Sequence, residues 1–126
     1  MLLKISHKGE HIDEAIQITG SKSESNRLLI LQALFKSLQI SNLSNSDDSQ
    51  VMQEALSSKD EVVDIHHAGT AMRFLTSYFA CQQGRETVLT GSSRMKERPI
   101  GILVDALRKM GADIQFLEKE NSSFLV

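Results

Sequence analysis

Apolar residues change their period several times along this chain, and that alternation constrains the fold more than any other feature. Short apolar runs at Gln39 to Leu43, Val62 to His66 and Thr87 to Thr90 read as strands. Between them the apolar residues recur every three or four positions, the spacing of one helix face. One such stripe is Leu28, Leu31, Phe35 and Leu38, in a helix starting near Ser23 to Ser25. A second is Val51, Met52, Ala55 and Leu56, behind the oxygen-rich start Ser46-Asp47-Asp48-Ser49, whose carboxylates are expected to cap it. A third is Met72, Leu75, Tyr78 and Phe79, opened by Gly69-Thr70 with Thr70 as its cap and closed by Gly84. After a loop at Gly91 to Arg98, Pro99 is expected in the first turn of a helix that buries Leu103, Leu107 and Met110 and ends at Gly111. Further strands are predicted at Leu2 to Ile5, Ala15 to Ile18, Ala112 to Leu117 and Phe124 to Val126, the last two joined by a turn around Asn121. This order predicts an α/β architecture, with helices packed on a sheet.

Composition narrows the class. With 126 residues, 40% apolar and 24% charged, the chain has the make-up of an ordinary soluble domain. No run approaches ~18 apolar residues and the start is too short and charged for a signal peptide, so a cytoplasmic location and no membrane partner are expected. The single cysteine, Cys81, is expected to be buried as a small apolar side chain. A formal net charge of -2 and few aromatic rings disfavour nucleic-acid binding. The pair His66-His67 lacks metal-ligand spacing, so no metal is expected, and neither a Ser-His-Asp set nor a dinucleotide loop is visible.

The basic residues carry the functional signal. Lys22, Arg27, Arg73, Arg94, Lys96 and Arg98 all fall in loops and first turns leading into three helices. Cations there oppose the helix dipole by about 0.3–1 kcal/mol each, so the fold alone gives no reason for them. A bound anion reverses that sign, because free amides, a Lys point charge and an Arg fork are the parts of a phosphate or carboxylate pocket. Solvated ion pairs with Glu24, Asp47, Asp48 and Glu97 are the bland alternative for any one of them. Gly69 adds a position where a ligand can approach the backbone.

Three segments go further: Gly20-Ser21-Lys22-Ser23-Glu24-Ser25-Asn26-Arg27, Ala68-Gly69-Thr70-Ala71-Met72-Arg73, and Arg94-Met95-Lys96-Glu97-Arg98-Pro99-Ile100-Gly101. In this order and spacing they resemble the EPSP synthase family, the 3-phosphoshikimate 1-carboxyvinyltransferases, and Ser46-Asp47-Asp48 and Leu103 to Arg108 resemble it too. The resemblance implies transfer of the enolpyruvyl group of phosphoenolpyruvate to the 5-hydroxyl of shikimate 3-phosphate in the shikimate pathway of aromatic amino acid (chorismate) biosynthesis, without metal or organic cofactor. It implies repeated βαβαββ units with helices on a mixed sheet, in an inside-out α/β barrel-like domain that is incomplete here. Residues 1–19 would pack with a second domain, and residues 20–126 would form the first part of the substrate-binding domain.

Carried over by motif, Lys22, Ser23 and Arg27 would hold shikimate 3-phosphate, while Lys22, Gly69 and Arg98 would hold phosphoenolpyruvate. Thr70, Arg73 and His67 would be secondary contacts. His67 stands where the family usually has Asn, and the link from Leu56 to His66 is shorter than in many relatives. The apolar end Phe124-Leu125-Val126 leads to the expectation of an N-terminal portion of a longer protein, with the acid and base groups and the C-terminal domain lying beyond it. On that reading the isolated chain is inactive and prone to dimerise, and the full-length protein is a monomer. The alternatives are a portion of the sister UDP-N-acetylglucosamine enolpyruvyl transferase, whose Cys-bearing loop is not matched at Ser92 to Glu97, or a non-catalytic anion-binding module.

Overall fold

A computed structural model describes residues 2–6, 9, 11, 13–117 and 124–125. The elements in chain order are α1 (Lys22–Leu34), α2 (Asp47–Ser57), β1 (Val62–Asp64), α3 (Gly69–Ala80), β2 (Val88–Thr90), α4 (Ser93–Lys96), α5 (Gly101–Lys109), β3 (Gln115–Phe116) and β4 (Phe124–Leu125). From β1 onward they make one βαβαββ unit, with the single turn α4 inserted before α5, while α1 and α2 pack beside it. The sheet is mixed, in the order β1-β2-β4-β3. Strands β1 and β2 run parallel, with Val63 opposite Leu89, and α3 is the crossover that parallel pairing requires. Strand β4 then pairs antiparallel with both β2 and β3.

The core is built where the periodicity places it for α2 and α3. Met52 and Ala55 of α2 and Met72, Leu75 and Phe79 of α3 are buried together with Val63, Ile65, Leu89, Val104 and Ile114. Among the described residues no helix is long and apolar enough to cross a membrane.

Several expectations need correction. In α1 the buried residues are Ser25, Asn26 and Leu29, whereas Leu31 and Phe35 are exposed, Phe35 by 62%. Four consecutive apolar residues, Leu28 to Leu31, leave the apolar period without a single face, and polar bonds to the neighbouring helix choose it instead. In α5 Val104 and Leu107 face the core while Met110 and Ile102 stand in solvent. Pro99 lies just before that helix and not in its first turn, because Ile100 occupies the N-cap position. Gly111, with φ of 102°, follows the helix as expected.

Residues 2–5, 15–18 and 39–43 form no strand. Among the described residues no ladder partner pairs with them, and an unpaired extended segment gains none of the hydrogen bonds that define a strand. The first two segments accordingly expose Leu2, Leu3, Ile5, Ile16 and Ile18. Cys81 is exposed at the C-cap of α3, one residue past the last core turn. The turn around Asn121 lies outside the described residues.

Candidate anion-binding site

The starts of α1, α2 and α3 and the segment leading into α5 follow one another in line through side-chain contacts, and local packing explains each junction. Gly20 lies against the Asn42 carbonyl oxygen so closely that a Cβ would overlap it, which fixes the entry into α1. Inside, Ser25 Oγ accepts the Ser44 amide N–H at 2.9 Å, and Asn26 Oδ1 accepts the Ser49 hydroxyl at 2.9 Å, both buried. These bonds hold the start of α1 to the start of α2, so Lys22 Nζ stands 3.7 Å from Asp48 Oδ1. The neighbouring Asp47 Oδ2 is 3.7 Å from His67 Nε2, which joins α2 to the loop that opens α3. The Arg98 guanidinium then lies on the Cα of Gly69, where a Cβ would overlap Nη1. Arg73 closes the line by donating to the Gly69 carbonyl at 3.0 Å and to the Pro99 carbonyl at 3.1 Å.

The charges along this line are unevenly matched. Asp47 and Asp48 are the first two residues of α2, and no side chain caps that helix. The capping role expected of them is therefore corrected: the two carboxylates reach sideways to Lys22 and to the His67 ring at the adjoining helix starts. The first turn of α3 contains no acidic residue, and its N-cap position is Ala68, so Thr70 is not the cap. The amides of Gly69, Thr70 and Ala71 find no acceptor among the described residues. Arg98 likewise has no carboxylate partner among them. An orphan turn of amides beside an uncompensated guanidinium favours an anion.

Arg27 leaves α1 at the flank of the same line. Its Nη1 donates to the Ser23 carbonyl at 2.7 Å, and its Cζ lies 5.6 Å from the centre of the Phe74 ring on α3. Ser23 is exposed in the first turn of α1. Arg94 and Lys96 lie on α4, not in a loop, with Ser92 accepting the Met95 amide N–H at that helix's start. Among the described residues no ion pair joins Arg94 to the line. Sequence reasoning missed Asn26, Ser49 and Phe74, because a buried amide and a cross-helix ring contact leave no signature in spacing.

A cleft of about 340 Å³ opens next to the line, bordered by Asp47, Glu54, His66 and His67 with Val51 and Ile65 at its base. A larger groove of about 690 Å³ lies at the opposite ends of β1 and β2, lined by Glu61, Arg85 and Glu86. It is the weaker anion site, since two carboxylates, Glu61 and Glu86, line it beside its one cation, Arg85. Among the described residues no group of three or more His, Cys, Asp or Glu could hold a metal ion.

Residues 53–125 match the profile of EPSP synthase (3-phosphoshikimate 1-carboxyvinyltransferase). The chain belongs to the EPSP synthase family. A 3-phosphoshikimate 1-carboxyvinyltransferase of Bacteroides fragilis is 53% identical over 110 residues, covering 86% of this chain and 27% of the relative. The pentafunctional AROM polypeptide of Schizosaccharomyces japonicus is 41% identical over 140 residues, covering 87% of this chain and 9% of that polypeptide. An EPSP synthase from Acinetobacter baumannii shares the fold with a TM-score of 0.71 at 18% identity, over 88% of this chain and 31% of that one. The matched part of the chain thus spans 27–31% of the length of these EPSP synthases. The α/β expectation and the βαβαββ unit agree with this family's fold.

Proposed function

We propose that this chain supplies the first part of the substrate cradle of a cytoplasmic 3-phosphoshikimate 1-carboxyvinyltransferase. In the reaction, the 5-hydroxyl of shikimate 3-phosphate gives up its proton as its oxygen adds to C2 of phosphoenolpyruvate, while C3 gains a proton. The tetrahedral intermediate then loses inorganic phosphate from C2 and a proton from C3, which restores the C2=C3 double bond and forms the enol ether. The observation that carries the reading is the unbroken line from Lys22 through Asp48, Asp47 and His67 to Gly69 and Arg98.

In this reading Lys22, Ser23 and Arg27 hold shikimate 3-phosphate, and Lys22, Gly69 and Arg98 hold phosphoenolpyruvate. The His67–Asp47 contact is exposed and contributes little to stability, so a substrate phosphate replaces it at modest cost, whereas at Lys22 the phosphate competes with the more sheltered Asp48. His67 faces Asp47 and acts beside the phosphoenolpyruvate subsite, with Thr70 and Arg73 shaping the α3 turn. Residues 1–19 pack against the second domain of the full-length enzyme, which is a monomer, whereas the isolated chain associates through its open apolar surface. No residue of this chain is assigned as catalytic acid or base.

The reading predicts saturable binding of shikimate 3-phosphate to the purified chain by calorimetry, with no phosphate release when both substrates are present. Absence of saturable heat, or measurable turnover by the chain alone, contradicts it.

A further inference from the structure

Lys22 and Arg27 both belong to the proposed shikimate 3-phosphate subsite, yet they are held in different ways. Lys22 is held by a carboxylate, Asp48, which competes with an incoming anion. Among the described residues Arg27 has no carboxylate partner; the Ser23 carbonyl and the Phe74 ring hold it. Neither of these neutralises the guanidinium. A ring takes up none of the N–H donors of the guanidinium, so apart from the Nη1 donor given to the Ser23 carbonyl they are left for an anion. The separation of 5.6 Å falls within the range of about 6 Å over which the ring quadrupole attracts a cation. Phe74 is itself anchored, because it packs half-buried against the core from α3. It also sits five residues after Gly69, so it ties Arg27 of α1 to the helix whose start forms the neighbouring subsite.

We infer that Phe74 is a positioning residue for Arg27, presetting its guanidinium for shikimate 3-phosphate without quenching its charge. The inference rests on the assignment of Arg27 to that substrate under the proposed function. It differs from simple core packing, since a leucine would fill much of the same apolar space and lack only the ring face.

The test compares wild type, Phe74→Leu, Phe74→Tyr, Arg27→Ala and the Phe74→Leu/Arg27→Ala double variant, each as the whole 126-residue chain. Shikimate 3-phosphate is titrated by calorimetry at low ionic strength, and the Arg27 Nε–H signal is followed by NMR. Phe74→Leu is expected to weaken binding about 2- to 5-fold, the effect of one exposed cation–ring contact. Phe74→Tyr is expected to stay within about 2-fold of wild type, and Phe74→Leu to have no further effect once Arg27 is alanine. The ring-current shift of the Arg27 signal should vanish in Phe74→Leu and persist in Phe74→Tyr. Equal affinities of wild type and Phe74→Leu overturn the positioning role alone. Equal weakening by both Phe74 variants with a parallel fall in Tm also overturns it, leaving a packing role. If wild type shows no saturable binding while the Arg27 signal still responds to Phe74→Leu, the substrate assignment fails and takes the positioning role with it, although the stacked pair stands.

Discussion

Replacing Gly69 by alanine separates what the fold needs from what the ligand needs. An added Cβ overlaps Nη1 of Arg98 and lies 3.2 Å from its Cζ. Non-bonded contacts settle at about 3.5–4.0 Å, so the guanidinium has to retreat by roughly 1 Å or more. The obstructing atoms are the far end of an exposed, flexible side chain, and Gly69 has an ordinary helical backbone, so the fold loses nothing. Alanine even gains up to about 1 kcal/mol over glycine through a less free unfolded chain. The ligand, in contrast, loses a charge-assisted bond that contributes about 1.5–3 kcal/mol, or about 10- to 150-fold in affinity. Titration of phosphoenolpyruvate in the presence of saturating shikimate 3-phosphate measures this loss, and thermal unfolding supplies the control. Gly69→Ala should bind phosphoenolpyruvate at least about 10-fold more weakly, with Tm unchanged or raised, and should add little to Arg98→Ala. Unchanged affinity would show that Arg98 does not work from this position. A large fall in Tm would show that the fold, not the ligand, requires the missing Cβ.

Three further outcomes follow from the packing. His66 has φ of 50°, a left-handed conformation that costs a non-glycine residue about 1–2 kcal/mol, so His66→Gly should raise stability by about 1 kcal/mol in chemical denaturation; a lowered midpoint contradicts this. Phe79 is 1% exposed and Ile102 90% exposed, so Phe79→Ala should cost about 3–5 kcal/mol and Ile102→Ser less than about 0.5 kcal/mol; similar costs would refute the assigned face of α5. Ser49→Ala leaves the buried Asn26 Oδ1 without its donor and should cost about 1–3 kcal/mol by the same assay, whereas a neutral result would remove the polar lock between α1 and α2.

The helix-strand order was readable because apolar residues in α2 and α3 fall on one clear stripe, and Met52, Ala55, Leu75 and Phe79 are buried where that stripe places them. The three basic motifs were readable as residue types at helix starts. Their meeting in space was not, since the joining contacts are between residues 26 positions apart in the case of Lys22 and Asp48 and 29 apart in the case of Gly69 and Arg98. The face of α1 was misread because apolar residues surround it; Ser25 and Asn26, polar and buried, decide its orientation. Asp47 and Asp48 illustrate a second limit. A carboxylate at a helix start suits capping and cross-helix pairing equally, and only the neighbouring Lys22 and His67 decide between them. The segments 2–5 and 15–18 have strand-like composition, but pairing is a property of two segments, and composition reports only one.

The central claim is that these helix starts form one anion site. An amide NMR titration with shikimate 3-phosphate tests it most directly. The account predicts that the signals of Lys22, Ser23, Arg27, Gly69 and Thr70 move together along a single saturating curve, while those around Arg85 at the far end of the sheet stay still. Shifts scattered over unrelated surfaces, or separate curves for the α1 and α3 residues, would contradict it.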